Sequence, residues 1–373
     1  MSDNLKDYIL FTPFTIGDLT LKNRIVFSPL TRARADVYTR APNDMNAEYY
    51  ARRAGAGLIF TEASAVSEQG NGWCGAPALH SEEKLAGWKK IVERIHEQGS
   101  KVFLQLWHVG RLAHSSFNAK REVVSASEIG PAPGRLRDAN GDHVEYEVPR
   151  ALTTEEIAGV VEDYRKSAEL AKRAGFDGIE VHIVGYLPDQ FLQSVTNNRT
   201  DKYGGSLENR ARFLLEIIDA LKTVWPAGRI GVRLSPNGGW GGMGEPSNVE
   251  TYLYTMSELD KKQIGFIAIH DGVGFGHHDK CRRVTVQDVL SVFKGTVIAS
   301  NNLTRDIAEG VLRSGAADAV SFGRPFISNP DLAERFRNDW PLNPPAPYEH
   351  YWDASLGAEG YLTYEAYDPS KEE

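Results

Sequence analysis

His182 and Tyr186 stand where a short apolar run, Ile179 to Ile183, gives out. An imidazole and a phenol at the end of a buried strand, before any helix starts, need a reason, which is a fold and a chemistry that use both in one place. Polar groups collect in the same way at the ends of other apolar runs: Pro29-Leu30-Thr31-Arg32, Glu62-Ala63, Gln105-Leu106-Trp107-His108, Arg233-Leu234-Ser235, His270-Asp271-Gly272, Ser300-Asn301-Asn302 and Gly323-Arg324. Arg233 sits within an apolar run, so its charge needs a partner. A carboxylate such as Glu62 would serve, and so would a cofactor ring that accumulates negative charge. Backbone N–H groups at Asn302 and at Gly323-Arg324, with Thr304 capping the next helix and the fixed charge of Arg324, form a phosphate cradle. That cradle implies a phosphorylated substrate or a phosphate-bearing cofactor. His108, His182 and His270, with Asp271 beside the last, raise metal-assisted hydrolysis as another chemistry. No His-x-His pair stands on the first strand, which leads into Ser-Pro-Leu-Thr-Arg, and no metal site is expected.

The elements that must position these groups follow from the pattern of apolar runs. Ile25 to Leu30, Gly57–Glu62, Val102–Trp107, Gly178–His182, Ile230–Leu234, Phe266–His270, Val297–Ser300 and Ala319–Phe322 are apolar on consecutive positions, as in parallel strands buried on both faces. Helical periodicity fills the gaps, at 43–54, 81–97, 154–174, 206–224, 248–263, 285–294, 304–314 and 328–337. Thr153, Ser206 and Thr304 supply N-caps, and Gly175 and Gly315 sit where two helices should stop. Eight βα units without a linker predict an α/β fold, a single (β/α)8 TIM barrel over residues 1–373, with a small N-terminal β-hairpin in 9–24. Long connections at 109–152, 235–247 and 271–283 all follow strands, on the face where barrels build active sites. Residues 339–373 form a C-terminal extension.

Composition narrows the partners. The 373 residues are 41 % hydrophobic and 25 % charged, an ordinary globular balance, and the net charge of −8 gives no footprint for nucleic acid or an anionic membrane. No stretch reads as a leader or a membrane span. The two cysteines, Cys74 and Cys281, are too few for a disulfide framework and fit a reducing compartment, so a cytoplasmic protein is expected.

At this point the residues resemble a family. Gly-Phe-Asp-Gly-Ile-Glu-Val-His at 175–182, Gly185-Tyr186-Leu187, Asp189-Gln190-Phe191-Leu192 and the run Asn198 to Phe213 closely resemble the old yellow enzyme family of flavin-dependent ene-reductases. The likeness extends from Leu10-Phe11 through Gly323-Arg324-Pro325-Phe326 to Gly357–Tyr361. It implies FMN as cofactor and NADPH, or NADH, as reductant. It implies that Thr31 bonds the flavin O4 edge, Gln105 the pyrimidine edge and Arg233 the N1–O2 region, while backbone around Pro29, Ala63, Asn302, Gly323 and Arg324 holds ring and phosphate. Trp107 shapes the substrate pocket, His182 bonds the substrate's carbonyl or nitro oxygen, Tyr186 supplies a proton, and Tyr351 is a further substrate contact with Trp352 as its rival. The implied activity is reduction of activated C=C bonds of α,β-unsaturated carbonyl or nitro compounds by ping-pong hydride transfer, in a monomer or homodimer. The alternative is a flavin reductase acting mainly on quinones, nitro compounds or oxygen.

One departure stands inside the signature. Members of the family usually read His, two residues, then Asn or His, then Gly-Tyr, so that two side chains donate to one substrate oxygen. Here only Ile183-Val184 separates His182 from Gly185, and the second donor is missing. Loss of one such donor costs about 2–4 kcal/mol in the transition state if nothing replaces it.

Overall fold

The computed structural model describes residues 5–270, 276–300 and 302–371; Asp271 and Asn301, both singled out above, lie outside the described residues. The expected strands form as β1 Ile25–Phe27, β2 Leu58–Phe60, β3 Lys101–Trp107, β4 Gly178–His182, β5 Ile230–Leu234, β6 Phe266–His270, β7 Thr296–Ser300 and β8 Ala319–Phe322. Each pairs in parallel with its neighbours, β8 returns to β1, and β3 joins β4, so the ring closes as a (β/α)8 barrel. Closure leaves no exposed edge along these strands.

Pleat alternation splits each strand between two cores. Val26, Phe60, Phe103, Phe266, Ala268, Ile298 and Ala319 pack inside the ring. Their neighbours, among them Ile25, Ile59, Leu104, Val181, Val232 and Ile267, face the helices. Phe60, Phe103 and Phe266 meet in a triangle of rings with centroids 5.5–5.9 Å apart. Gly231 and Gly178 make room for it, since a Cβ would lie 2.0 Å from the Phe266 ring at the first and 2.5 Å from the Phe103 ring at the second. Below this layer the expected hairpin, Phe14–Ile16 paired with Leu19–Leu21, plugs the N-terminal end with Ile16, Leu19 and Leu21.

The helices are α1 Asp44–Ala51, α2 Leu85–His96, α3 Thr154–Ala174, α4 Leu187–Leu192, α5 Leu207–Lys222, α6 Asn248–Lys261, α7 Val286–Val292, α8 Arg305–Arg313, α9 Arg324–Ser328 and α10 Leu332–Asn338. Thr153, Ser206 and Thr304 cap α3, α5 and α8 as read from the sequence, and Gly175 ends α3 at φ +92°. Two stretches differ. The helix expected over 328–337 is divided around Pro330 into α9 and α10. The sequence pattern shows no helix at 187–192, yet α4 forms there with Pro188 in its first turn, a position where the missing N–H costs nothing.

The C-terminal extension runs back to the loop after β1. Arg32 donates to the carbonyls of Tyr351, His350 and Gly360 at 2.8–2.9 Å, and Tyr361 stacks on Tyr49 with centroids 4.0 Å apart. Arg32, the residue after Thr31, is thus tied to the extension.

Candidate active site

Above the phenylalanine layer the inward positions turn polar, and they are joined. Ser28 on the β1 side bonds Ser321 of β8 at 2.8 Å, and Ser321 bonds Ser300 of β7 at 2.6 Å. Arg233 of β5 donates to Ser300 at 3.2 Å, to Glu180 of β4 at 3.0 Å and shares a 3.2 Å contact with His270 of β6. Gln105 of β3 donates to the same Glu180 oxygen at 2.6 Å. The belt thus crosses six strands, with Arg233 2 % exposed and Glu180 0 %. Burial raises the Glu180 carboxyl, and Arg233 and then Gln105 work against that rise.

This pairing corrects one expectation. Glu62 is not the partner of Arg233: its Oε2 accepts from the N–H groups of Arg32 and Ala33 at 3.0 and 2.9 Å, and Tyr50 bonds its Oε1 at 3.3 Å. Glu62 instead fixes the loop that carries Thr31. Ala63, beside it, is buried.

The opposite wall is aromatic. His182 closes β4 in register with Arg233 and lies 4.9 Å from the Tyr186 ring and 6.1 Å from the Trp107 ring, centroid to centroid. Tyr186 meets Trp107 edge-on at 4.9 Å and Trp240 edge-on at 5.6 Å. Burial, then the charge of Arg233 and His270, hold His182 well below the usual imidazole range, so it is neutral near pH 7. Burial drives the Tyr186 phenol well above its ordinary range, although a hydrogen bond from Trp73 opposes it. A neutral imidazole and a protonated phenol therefore stand side by side.

The shortened segment closes as a four-residue turn. The N–H of Tyr186 donates to the carbonyl of Ile183 at 3.0 Å, and Gly185 takes the left-handed corner at φ +72°. The two residues that follow in α4 grip that glycine: Asp189 accepts its N–H at 2.8 Å, and the Gln190 amide donates to its carbonyl at 3.0 Å. A Cβ on Gly185 would come within 3.2 Å of the Trp240 ring. The space beside the turn is filled by indole, and Val184 brings no donor.

Other expected residues take their places around this centre. Asn302, exposed at φ +52°, precedes the Thr304 cap of α8, while Gly323 opens α9 and Arg324 is its first residue. Arg53 secures α9 by donating to the carbonyls of Phe326 and Ile327 at 2.8 and 2.9 Å. Pro29 is half-buried. Tyr351 packs on Tyr348 and Trp352, whereas Trp352 reaches Trp73, which in turn stacks with Trp107. Ring contacts connect Trp352 more directly than Tyr351 to the His182 wall. The histidines do not converge: His108 is fully buried, its Nδ1 taking the N–H of Gly110 at 3.2 Å. Among the described residues no group of three or more His, Cys, Asp or Glu side chains could hold a metal ion. Asn209, Arg210 and Arg212 bond backbone at Gly204, Leu192 and Lys202, which anchors the segment between α4 and α5.

Sequence reasoning missed Glu180, the serine belt, Trp73 and Trp240. Glu180 had a signal, because a residue two before His182 on a strand faces the same way. Trp240, flanked by glycines after a barrel strand, was also visible as a large ring in a small-residue loop. Nothing local distinguishes Trp73.

Comparison with known proteins agrees with this architecture. Residues 9–343 match the model of the NADH:flavin oxidoreductase / NADH oxidase family. The chain is 36 % identical over 347 residues to 12-oxophytodienoate reductase 2 of Arabidopsis thaliana, covering 90 % of each chain. Among solved structures it is similar to morphinone reductase in complex with tetrahydroNAD, at a TM-score of 0.89 and 38 % identity over 98 % of this chain and 99 % of that one. It is equally similar to the old yellow enzyme homologue from Zymomonas mobilis, at a TM-score of 0.90 and 37 % identity over 96 % and 99 %.

Proposed function

The chain belongs to the NADH:flavin oxidoreductase / NADH oxidase family and is an FMN-dependent oxidoreductase of the old yellow enzyme type; from that premise we propose that it reduces the activated C=C bond of α,β-unsaturated carbonyl or nitro compounds, with NADPH or NADH as reductant. Its residues fit the cofactor. Buried atoms without partners gather at the barrel mouth, among them Arg233 Nη2, Trp107 Nε1 and His182 Nδ1. A buried N–H with no acceptor is costly, and a ring edge rich in acceptors relieves that cost. Arg233 would face the N1–O2 region and Gln105 the pyrimidine edge, with Thr31 at O4. The backbone at Pro29, Ala63, Asn302, Gly323 and Arg324 would carry ring and phosphate. When bound, FMN accepts hydride from the nicotinamide and delivers it from N5 to the substrate's β-carbon.

The chain's own part is to polarise, protonate and enclose. His182 donates a hydrogen bond to the activating oxygen, which draws electrons from the alkene. Tyr186, kept protonated by burial, gives its proton at the α-carbon. Trp107 walls the pocket, and the C-terminal extension reaches that wall through Trp352 on Trp73, with Tyr351 packed against Trp352. Nicotinamide and alkene use the same face in turn. The observation that carries this reading is the contact between His182 and Tyr186 at 4.9 Å, with the His182 Nδ1 unpartnered. The test is anaerobic titration: the purified protein is yellow, NADPH bleaches it, and 2-cyclohexenone restores the colour. Protein that shows no flavin absorbance after FMN supplementation, or whose bleached flavin ignores the enone, refutes the proposal.

The donorless turn favours a second reading, in which quinones, nitro compounds or oxygen are the better acceptors. These need less help from hydrogen bonds than an enone does. Inserting Asn between Val184 and Gly185 separates the readings, since enone turnover rises by about 30- to 1000-fold if a transition-state donor of about 2–4 kcal/mol is what limits it. Unchanged enone kinetics would mean that the pocket already compensates. We place the protein in the cytosol, as a monomer or homodimer acting on small molecules, in keeping with two free cysteines. Among the described residues no helix is long and apolar enough to cross a membrane.

A further inference from the structure

Glu180 has no role in the reading so far, yet it is the most enclosed charge in the belt. It is 0 % exposed, and one oxygen takes both the Arg233 Nε–H at 3.0 Å and the Gln105 amide at 2.6 Å. Its other oxygen, Oε1, has no partner, and neither does the Nη2 of Arg233. The remaining nitrogen of that guanidinium, Nη1, is occupied by Ser300 and His270 at 3.2 Å each. A single carboxylate therefore touches both side chains assigned to the pyrimidine edge of the flavin, and the guanidinium it binds keeps one N–H pair uncommitted. If stabilising the fold were its whole purpose, a second donor on Oε1 would be expected, because an unsatisfied buried carboxylate oxygen is costly.

We propose that Glu180 is a positioning residue that sets the reduction potential of the bound flavin, by neutralising part of the Arg233 charge and orienting its free Nη2 toward the N1–O2 edge. The proposal rests on the assignment of Arg233 and Gln105 to that edge. A cation at the edge favours the reduced cofactor, whose added charge collects there; an anion behind the cation offsets it. Arg233 alone would make the flavin a strong oxidant that is slow to pass electrons on. With Glu180 in place the potential stays low enough for an alkene to be reduced.

The experiment measures the flavin midpoint potential of holoenzyme by equilibration with a reference dye, with flavin content and circular dichroism checked in parallel. Glu180→Gln, Arg233→Gln and the double variant are compared with wild type. Glu180→Gln is expected to strengthen binding of reduced over oxidised flavin about tenfold, an upward shift of about 30 mV for a two-electron couple. Arg233→Gln is expected to move the potential downward, and the double variant to match it, because Glu180 acts through the arginine. An unchanged potential in Arg233→Gln would refute the assignment of that residue to the flavin edge. A downward move there, combined with an unchanged or lowered potential in Glu180→Gln, would overturn the role of Glu180 and leave it a mere anchor. If Glu180→Gln retains no flavin, Glu180→Asp is read instead: its carboxylate is set back from Arg233, and an upward shift of at least twofold in relative affinity is expected. An unchanged or lower potential in Glu180→Asp would equally overturn the proposal.

Discussion

The two walls of the site are built differently. The belt from Gln105 through Glu180, Arg233, Ser300 and Ser321 to Ser28 lies on barrel strands and the residue just past β1, and each side chain is bonded to the next. The facing wall starts from strand ends, Trp107 on β3 and His182 on β4, but is completed by loops: Tyr186 at the end of a four-residue turn, Trp240 from the 235–247 connection, Trp352 from the C-terminal extension. Rings touch there, where the belt has hydrogen bonds. The contrast assigns two tasks. On the roles proposed above, the cofactor would be met by rigid strands and the substrate largely by loops, which tolerate a deletion more readily than a strand does.

The largest expected effect would break the belt. Arg233→Met leaves Glu180 buried without its cation, and removing one partner of a buried pair costs about 3–5 kcal/mol. Urea unfolding of the flavin-free protein should show that loss; a change below about 1 kcal/mol would mean that the belt is not stiff. Next comes a change confined to the loop wall. Tyr186→Phe should leave stability within about 1 kcal/mol but slow reoxidation of reduced flavin by 2-cyclohexenone by about 10²–10⁴, the usual worth of a positioned acid. A nitroalkene, whose anion can leave unprotonated, should lose far less. Equal losses on both substrates would mean that the phenol shapes the pocket and does not donate.

Legibility divided along the same line. All eight strands were readable because short runs apolar on consecutive positions and alternating with helical segments match parallel strands buried on both faces, and the places of Arg233 on β5 and of Gly323-Arg324 just after β8 were readable with them. Glu180 was overlooked, since a glutamate inside an apolar run reads as part of a strand until its facing is counted from His182. Trp240 and Trp73 meet the site through loops, and loop paths depend on contacts such as Arg111 to the Gly241 carbonyl at 2.8 Å, which no local pattern encodes. The missing residue before Gly185 was plain in the sequence. Its consequence, a closed turn gripped by Asp189 and Gln190, was not.

That grip carries a pH dependence. Burial raises the Asp189 carboxyl to about 6, against hydrogen bonds from Tyr252, Gly185 and Gln193, while Glu245 adds to the rise and Arg111 stands nearby. An unfolded aspartate titrates near 3.9. Between about pH 4 and 6 the folded protein therefore holds a proton that the unfolded chain has lost. The contribution of this group to stability is greatest near pH 4 and declines as pH rises, by up to about 1.4 kcal/mol per unit and roughly 2–3 kcal/mol in total. Asp189→Asn should remove that slope from a series of unfolding curves between pH 4 and 7. An identical slope in the variant would place the titrating group elsewhere.

The smallest effect tests whether the loop wall owes its order to packing alone. Trp240 is 39 % exposed, meets the Tyr186 ring edge-on, and stands so near the turn that a Cβ on Gly185 would lie 3.2 Å from it. An edge-to-face pair adds about 0.5–1.5 kcal/mol beyond the area it buries, so Trp240→Ala should destabilise the fold by about 1 kcal/mol or less. Its effect on turnover separates two accounts of the deletion. If the indole merely fills the space left by the missing residue, Trp240→Ala should raise KM for bulky enones and leave kcat within about twofold. If the indole holds Tyr186 in line with the alkene, kcat should fall with KM unchanged, and Trp240→Phe should restore it. Combining Trp240→Ala with the Asn insertion before Gly185 then becomes informative. The insertion lengthens the turn toward the place the indole now fills, so the pair should be more active on enones than the insertion alone, and the excess measures how far the ring and the absent donor compete for one space.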